Sequence, residues 1–218
     1  MIYAMSDLHG CYTQYLEMLK KIPFSDNDVL YILGDLIDRG PDGIKIIQDV
    51  MKRNNVIPII GNHELFALYA SGYSTNSATW YDGWIQDGGA PTYDAFQKLT
   101  AQEQLNVILY ISRMPLYREV NAGGNTFFLS HTLPKKNQMH QFIHQPEVRF
   151  IIGEPEYDKV YFNDKYTVTG HIPTGLISKE FIGKIWTGNH HIAIDCGAVF
   201  GNPLGCVCLD TLEEFYVT

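Results

Sequence analysis

Three times in its first 65 residues the chain runs from a short apolar segment straight into a cluster of glycine, aspartate, asparagine and histidine. Ile2–Met5 leads into Asp7-Leu8-His9-Gly10. Val29–Leu33 leads into Gly34-Asp35-Leu36-Ile37-Asp38-Arg39-Gly40, and Val56–Ile60 into Gly61-Asn62-His63-Glu64. A stretch with helical spacing follows each cluster: Tyr12 to Ile22, closed by Pro23; a helix opened by Pro41 and carrying Ile44, Ile46, Ile47 and Val50; and Glu64 to Ala70. Apolar runs of four or five residues alternating with amphipathic helices predict an α/β layered sheet with parallel pairs. In such sheets ligands bind beyond the carboxyl ends of the strands, which is where these polar clusters fall.

Further along, a tryptophan- and glycine-rich stretch (Trp80 to Gly89) precedes helices near Pro91–Leu99 and Ala101–Ser112. Strands then dominate: Arg118–Val120 and Thr126–Ser130 around a Gly123-Gly124-Asn125 turn, Tyr166–Thr169, a hairpin near Phe181–Trp186, Ile192–Asp195, Cys206–Asp210 and Glu214–Val217. Late hairpins predict a second, partly antiparallel sheet packed on the first, with helices outside. The segment from Thr132 to Asp164 has no readable period. The 218 residues, 45% of them hydrophobic and only 18% charged, suffice for one core, and a single domain over 1–218 is expected.

A net charge of −8 argues against a broad basic face for nucleic acid or anionic membrane. Ile2–Met5 is too short for a leader or a membrane span, so a cytoplasmic protein is expected, with Cys11, Cys196, Cys206 and Cys208 as reduced thiols. Cys206 and Cys208 share one strand face and could bind a soft metal, but two thiolates fall short of a closed zinc site.

Two later strand ends add Ser130-His131 and Gly170-His171, giving five loops able to converge. Carboxylate and imidazole in this number suit two divalent metals of the zinc, iron or manganese kind. If strand geometry continues past Met5, Asp7 and His9 point the same way and share one metal. Taken singly, an Asp-x-His is commonly a turn and Asn62 could be a helix cap; the ordered set is what points to a metal site.

The three blocks resemble the signature of the calcineurin-like metallophosphoesterase superfamily, and the Asp38-Arg39-Gly40 ending is similar to its phosphoprotein-phosphatase branch. That branch holds serine/threonine protein phosphatases and symmetrical diadenosine tetraphosphate hydrolases. Trp84-x-x-x-Gly88-Gly89-x-x-Thr92 and Ile192 to Gly201 with Leu209-Asp210-Thr211 resemble small bacterial and phage members. The resemblance implies a sandwich of two mixed β-sheets flanked by helices and two metal ions, manganese expected, with iron or zinc suited to the same ligands. Asp7, His9 and Asp35 would hold the first metal, Asp35 bridging to a second held by Asn62, His131 and His171. Metal-activated water would attack a phosphate monoester, with His63 as general acid, Asp38 orienting it, and Arg39 and Asn62 on the phosphate. The expected substrate is a phosphorylated protein or small phosphoester; the alternative is a dinucleoside polyphosphate. A poor alkoxide leaving group needs a positioned acid, and a histidine with a carboxylate partner supplies one.

The pattern also departs from that branch. Its arginine just before Gly-Asn-His-Glu is Ile60 here, and Arg149, 22 residues before His171, falls where the branch has another phosphate-binding arginine. Thr132-Leu133-Pro134 replaces the usual small residues after His131. Trp80, Tyr81 and Trp84 read equally as cleft walls or core, and His140, His144, His190 and His191 as surface or structural.

Overall fold

Side-chain alternation along the first strands sets the layering. A computed structural model describes residues 1–73, 77–144 and 151–218. In it β1 (Ile2–Met5), β2 (Val29–Leu33) and β3 (Val56–Ile59) are parallel, while β9 (Leu204–Cys208) and β10 (Glu214–Val217) continue the sheet antiparallel, in the order β10-β9-β1-β2-β3. Tyr3, Met5, Leu30 and Ile32 face one side and Ala4, Tyr31 and Leu33 the other, and both sets are buried. A strand with apolar residues on both faces can only lie between two covering layers.

Helices form the first cover. α1 (Tyr12–Lys21) contributes Tyr15 and Met18, and α2 (Gly43–Val50) contributes Ile44, Ile47 and Val50. α2 begins at Gly43 rather than Pro41. α3 (Asn62–Leu68), α4 (Ser77–Trp84), α5 (Ala90–Phe96) and α6 (Ala101–Ile111) follow. α6 starts where the sequence marks it: the Thr100 hydroxyl accepts from the Glu103 amide while the Glu103 carboxylate accepts from the Thr100 amide.

The other cover is a second mixed sheet, ordered β4-β5-β6-β8-β7. It comprises β4 (Tyr117–Ala122), β5 (Asn125–Ser130), β6 (Tyr166–Thr169), β7 (Trp186–Gly188) and β8 (His191–Ala193), with β5, β6 and β8 mutually parallel. Phe127, Leu129, Val168 and Ile192 meet the first sheet, completing the expected sandwich. Phe128 points outward and is covered by Leu133, Met139, Phe142 and Tyr161. Described parts of the stretch that had no period, α7 (Met139–His144) included, therefore cap this outer face; irregular chain buries apolar groups without a repeating spacing.

The hairpin expected near Phe181–Trp186 is displaced: it joins β7 to β8 through Asn189 and His190, which take the left-handed φ values of 51° and 57° its tip requires. Phe181 lies in a short helical turn after α8 (Thr174–Ile177). Cys206 and Cys208 are buried among apolar side chains, and all four cysteines are unpaired. Among the described residues no helix is long and apolar enough to cross a membrane.

Candidate metal centre and active site

β1, β2, β3, β5 and β6 end at the same edge of the sandwich, and the loops that leave them turn inward at once. Asp7, His9, Asp35, Asp38, Arg39 and His171 all have positive φ, from 40° to 73°. Left-handed backbone is unfavourable for residues with a Cβ and is kept where surrounding structure over-determines it, characteristically at functional sites. Extended geometry does not continue from Met5, so Asp7 and His9 are not aligned by strand alternation. They converge because the turn is left-handed at both, held by Asp7 and His9 amides donating to Gly34 and Asp35 carbonyls at 3.1 and 2.8 Å.

Two groups of ligand atoms result, each within 4.8 Å and sharing Asp35: His9, Asp35 and His63, and Asp35, His131 and His171. His9 Nε2 lies 3.6 Å from Asp35 Oδ2 and 4.0 Å from Asp7 Oδ1; His131 Nε2 lies 3.5 Å from Asp35 Oδ1, 2.9 Å from Asn62 Oδ1 and 3.0 Å from His171 Nδ1. The opposite ring nitrogens fix the tautomers. His9 Nδ1 faces the Ile37 carbonyl at 3.0 Å and His131 Nδ1 the Leu33 carbonyl at 2.7 Å. A carbonyl only accepts, so both Nδ1 atoms carry hydrogen and both Nε2 lone pairs point into the cluster, as in a metal-binding imidazole.

Electrostatics agree with that donor set. Burial holds His9 down to about 2 and His171 to about 4, so the imidazoles stay neutral and ligand-competent. Burial pushes Asp7 and Asp35 well above the usual carboxylate range, with Asp195 adding to Asp7 and Asp7 to Asp35. Packed carboxylates with Arg39 as the nearby cation are what divalent ions neutralise, and the residues fit them.

His63 is completely buried. Its Nδ1 pairs with Asp38 Oδ2 at 2.7 Å, and its Nε2, directed into the cluster, has no protein hydrogen-bond partner. Asp38 is itself held from behind: Trp84 Nε1 donates to Oδ2 at 2.7 Å, and the Asp38 amide donates to Thr92 Oγ1 at 2.9 Å. Arg39 donates its amide to the Gly88 carbonyl at 2.8 Å, and its guanidinium lies 2.7 Å from His9 Nε2 and 5.6 Å from the Phe200 ring. Trp84, open between cleft and core, is thus a buried support for Asp38, and Trp84 through Thr92 acts as one buttress for Asp38 and Arg39.

The sequence profile of the calcineurin-like phosphoesterase family matches residues 1–193. The chain belongs to that family. Members are metal-dependent phosphoric ester hydrolases with a dinuclear centre. The chain is 28% identical to serine/threonine-protein phosphatase 1 of Salmonella typhimurium over 93% of its own length and 89% of that protein's. To a symmetrical bis(5'-nucleosyl)-tetraphosphatase of an Acidovorax strain it is 28% identical over 72% of its length, spanning about half (53%) of that relative. The fold is shared with a crystal structure provisionally named a diadenosine tetraphosphatase (TM-score 0.70, 16% identity, 99% of this chain and 92% of that one). It is shared also with a protein serine/threonine phosphatase of Saccharomyces cerevisiae (TM-score 0.65, 13% identity, 100% and 80%).

Within this phosphoesterase every candidate residue named above except Arg149 lies in the one cluster; Arg149 falls outside the described residues. Ile60 is buried in the helix-covered core, so the branch arginine has been replaced by a packing residue. His191 is structural: it is completely buried, bonded through Nε2 to Thr169 Oγ1 at 2.8 Å and stacked on Tyr157.

Two supporting residues, Glu64 and Asp195, carried no assigned role in the sequence, and Gly61 works beside them. Glu64, completely buried, accepts from the amides of Asp35, Leu36, Ile37 and Gly61 and so ties the second loop to the third. Gly61 is needed for closeness rather than for φ: at −99° any residue would fit, but a Cβ would overlap Asp35 Oδ1 and the Asp35 amide. Asp195, buried beside Asp7 and raised to about 6 by that burial, accepts from the Gly197 amide. A glutamate three residues into a helix after glycine was the available signal for Glu64. Asp195 had only its place after a strand.

Proposed function

We propose that this phosphoesterase is a phosphomonoesterase of the serine/threonine protein phosphatase type, working in the cytoplasm with two manganese ions. The observation that carries the substrate class is the near end-to-end match with the Salmonella protein phosphatase, against partial matches to the tetraphosphatases. In this reading Asp7, His9 and Asp35 hold one ion and Asp35, Asn62, His131 and His171 the other. Divalent ions so placed activate water near neutral pH and neutralise phosphate charge.

The rest is done by the chain's own side chains. Arg39, half-exposed at the mouth, grips the phosphate oxygens with its planar fork of donors. His63 protonates the leaving oxygen from Nε2. Asp38 holds the ring by Nδ1, and the Trp84 and Thr92 bonds keep Asp38 from turning away.

A second reading, symmetrical dinucleoside tetraphosphate hydrolysis, is favoured by the local identity of 43% over 72 residues with the tetraphosphatase of Wigglesworthia glossinidia brevipalpis. The discriminating assay compares a phosphothreonine peptide with diadenosine tetraphosphate, manganese present, as kcat/KM. A higher value on the peptide is expected. Preferential cleavage of the dinucleotide to two ADP would overturn the protein phosphatase reading and leave the hydrolase intact.

A further inference from the structure

Two charged groups approach His63 Nε2. Asp35 Oδ2, at 3.9 Å, lies on the metal side; Asp87 Oδ2, at 3.7 Å, belongs to a side chain about half exposed. His63 has no exposed surface of its own, and of the two carboxylates near its Nε2 Asp87 is the one that reaches solvent. The other carboxylate oxygen of Asp87 lies 3.7 Å from the Arg39 guanidinium, and the neighbouring Gly88 carbonyl is anchored on the Arg39 amide. Asp87 is thus held at the mouth, between the group that would grip phosphate and the group that would release the leaving oxygen. An aromatic shelf also begins at His63: Phe66 at 6.0 Å between ring centroids, Trp80 stacked on Phe66 at 5.8 Å, and Tyr69 against Trp80 at 5.0 Å, all three half-buried.

We infer that Asp87 is a specificity-determining residue that selects leaving groups by charge, admitting a peptide hydroxyl flanked by basic residues and disfavouring a polyanion. The inference rests on the reading above in which Nε2 of His63 faces the leaving oxygen. When Arg39 turns to the phosphate, the Asp87 carboxylate loses the close cation it has among the described residues and faces whatever is attached to that oxygen. A lysine or arginine beside the phosphorylated residue replaces the lost partner, with the shelf supporting the backbone and stem. A nucleoside diphosphate brings negative charge to the same place. A unit charge several ångströms from a solvent-bathed carboxylate changes relative rates by about three- to tenfold, and added salt diminishes the effect.

The test uses the manganese-loaded full chain and its D87N and D87K variants. Substrates are a phosphothreonine peptide flanked by arginines, the same peptide flanked by glutamates, and diadenosine tetraphosphate. Wild type is expected to favour the arginine peptide, D87N to cut that preference by about three- to tenfold, and D87K to reverse it, with the preference shrinking at high salt. An arginine-to-glutamate ratio unchanged in D87N, or a common factor on all substrates from a disturbed Arg39, overturns the inference. If wild type turns over neither peptide, D87N must accelerate dinucleotide cleavage by the same factor, and no acceleration overturns it. The two readings fail separately. Wild-type preference for the dinucleotide removes the protein phosphatase, whereas a constant ratio between two good peptide substrates removes only the charge selection.

Discussion

Replacing Glu64 with glutamine changes almost no volume, yet it alters the point where the second and third loops are joined. Oε2 accepts from the Asp35 and Gly61 amides, each at 2.9 Å, and Oε1 from Leu36 at 2.8 Å and Ile37 at 3.3 Å. Whichever way a glutamine amide is turned, its NH2 faces two backbone N–H groups. Two buried amides are then orphaned, at about 1–3 kcal/mol each. Part is returned because a buried charge is removed, the same burial that pushes the Glu64 carboxyl up. A net loss of about 2–4 kcal/mol remains, a large share of a total near 5–15 kcal/mol. At this chain length that lowers Tm by about 5–15 °C. The assay is urea unfolding with chelator present, so that metal linkage does not enter, together with amide exchange. Stability should fall at constant m-value, and the amides of Asp35, Leu36 and Ile37 should lose protection selectively. Stability within about 0.5 kcal/mol of wild type, or a loss with protection at 35–37 unchanged, would refute the assignment of Glu64 as the tie between the loops.

Three more outcomes are expected. His63→Asn should lower kcat by about 10²–10⁴-fold with two metals still bound by elemental analysis; because Nε2 sits with His9 and Asp35, metal loss at unchanged turnover per loaded enzyme would instead make His63 a ligand. Gly61→Ala should displace Asp35 and lower both Tm and metal stoichiometry, and a wild-type result in both would show the loop can yield. His191, which burial holds at about 3, refuses a proton that the unfolded chain accepts below about 6.5. Its contribution is therefore present above that pH and lost as pH falls toward 3, at up to about 1.4 kcal/mol per pH unit. His191→Gln should flatten the stability slope between about pH 4 and 6 by one proton, and parallel slopes would contradict this.

How far the sequence could be read depended on how local each signal was. β1 to β3 and the helices after them were legible because each apolar face is periodic within one segment. The hairpin was placed too early, since its tip depends on the φ of Asn189 and His190 rather than on a glycine, although Gly183 stood nearer the expected place. The 132–164 stretch was opaque because Leu133, Met139, Phe142 and Tyr161 answer to Phe128 on another strand.

The sequence by itself determined the strand-then-polar-cluster order, and with it which residue types would gather at one sheet edge and the hydrolase family they resemble. Tertiary structure alone decided how they meet. Asp7 and His9 converge through left-handed turns rather than strand alternation, Glu64 and the Trp84–Thr92 buttress hold the loops, and Asp87 stands before His63. The physical reason is that composition and periodicity encode what each segment must bury. Angles between loops, and the partners of buried polar groups, are set by contacts such as His63 with Asp38 and His171 with Asp7, 25 and 164 positions apart.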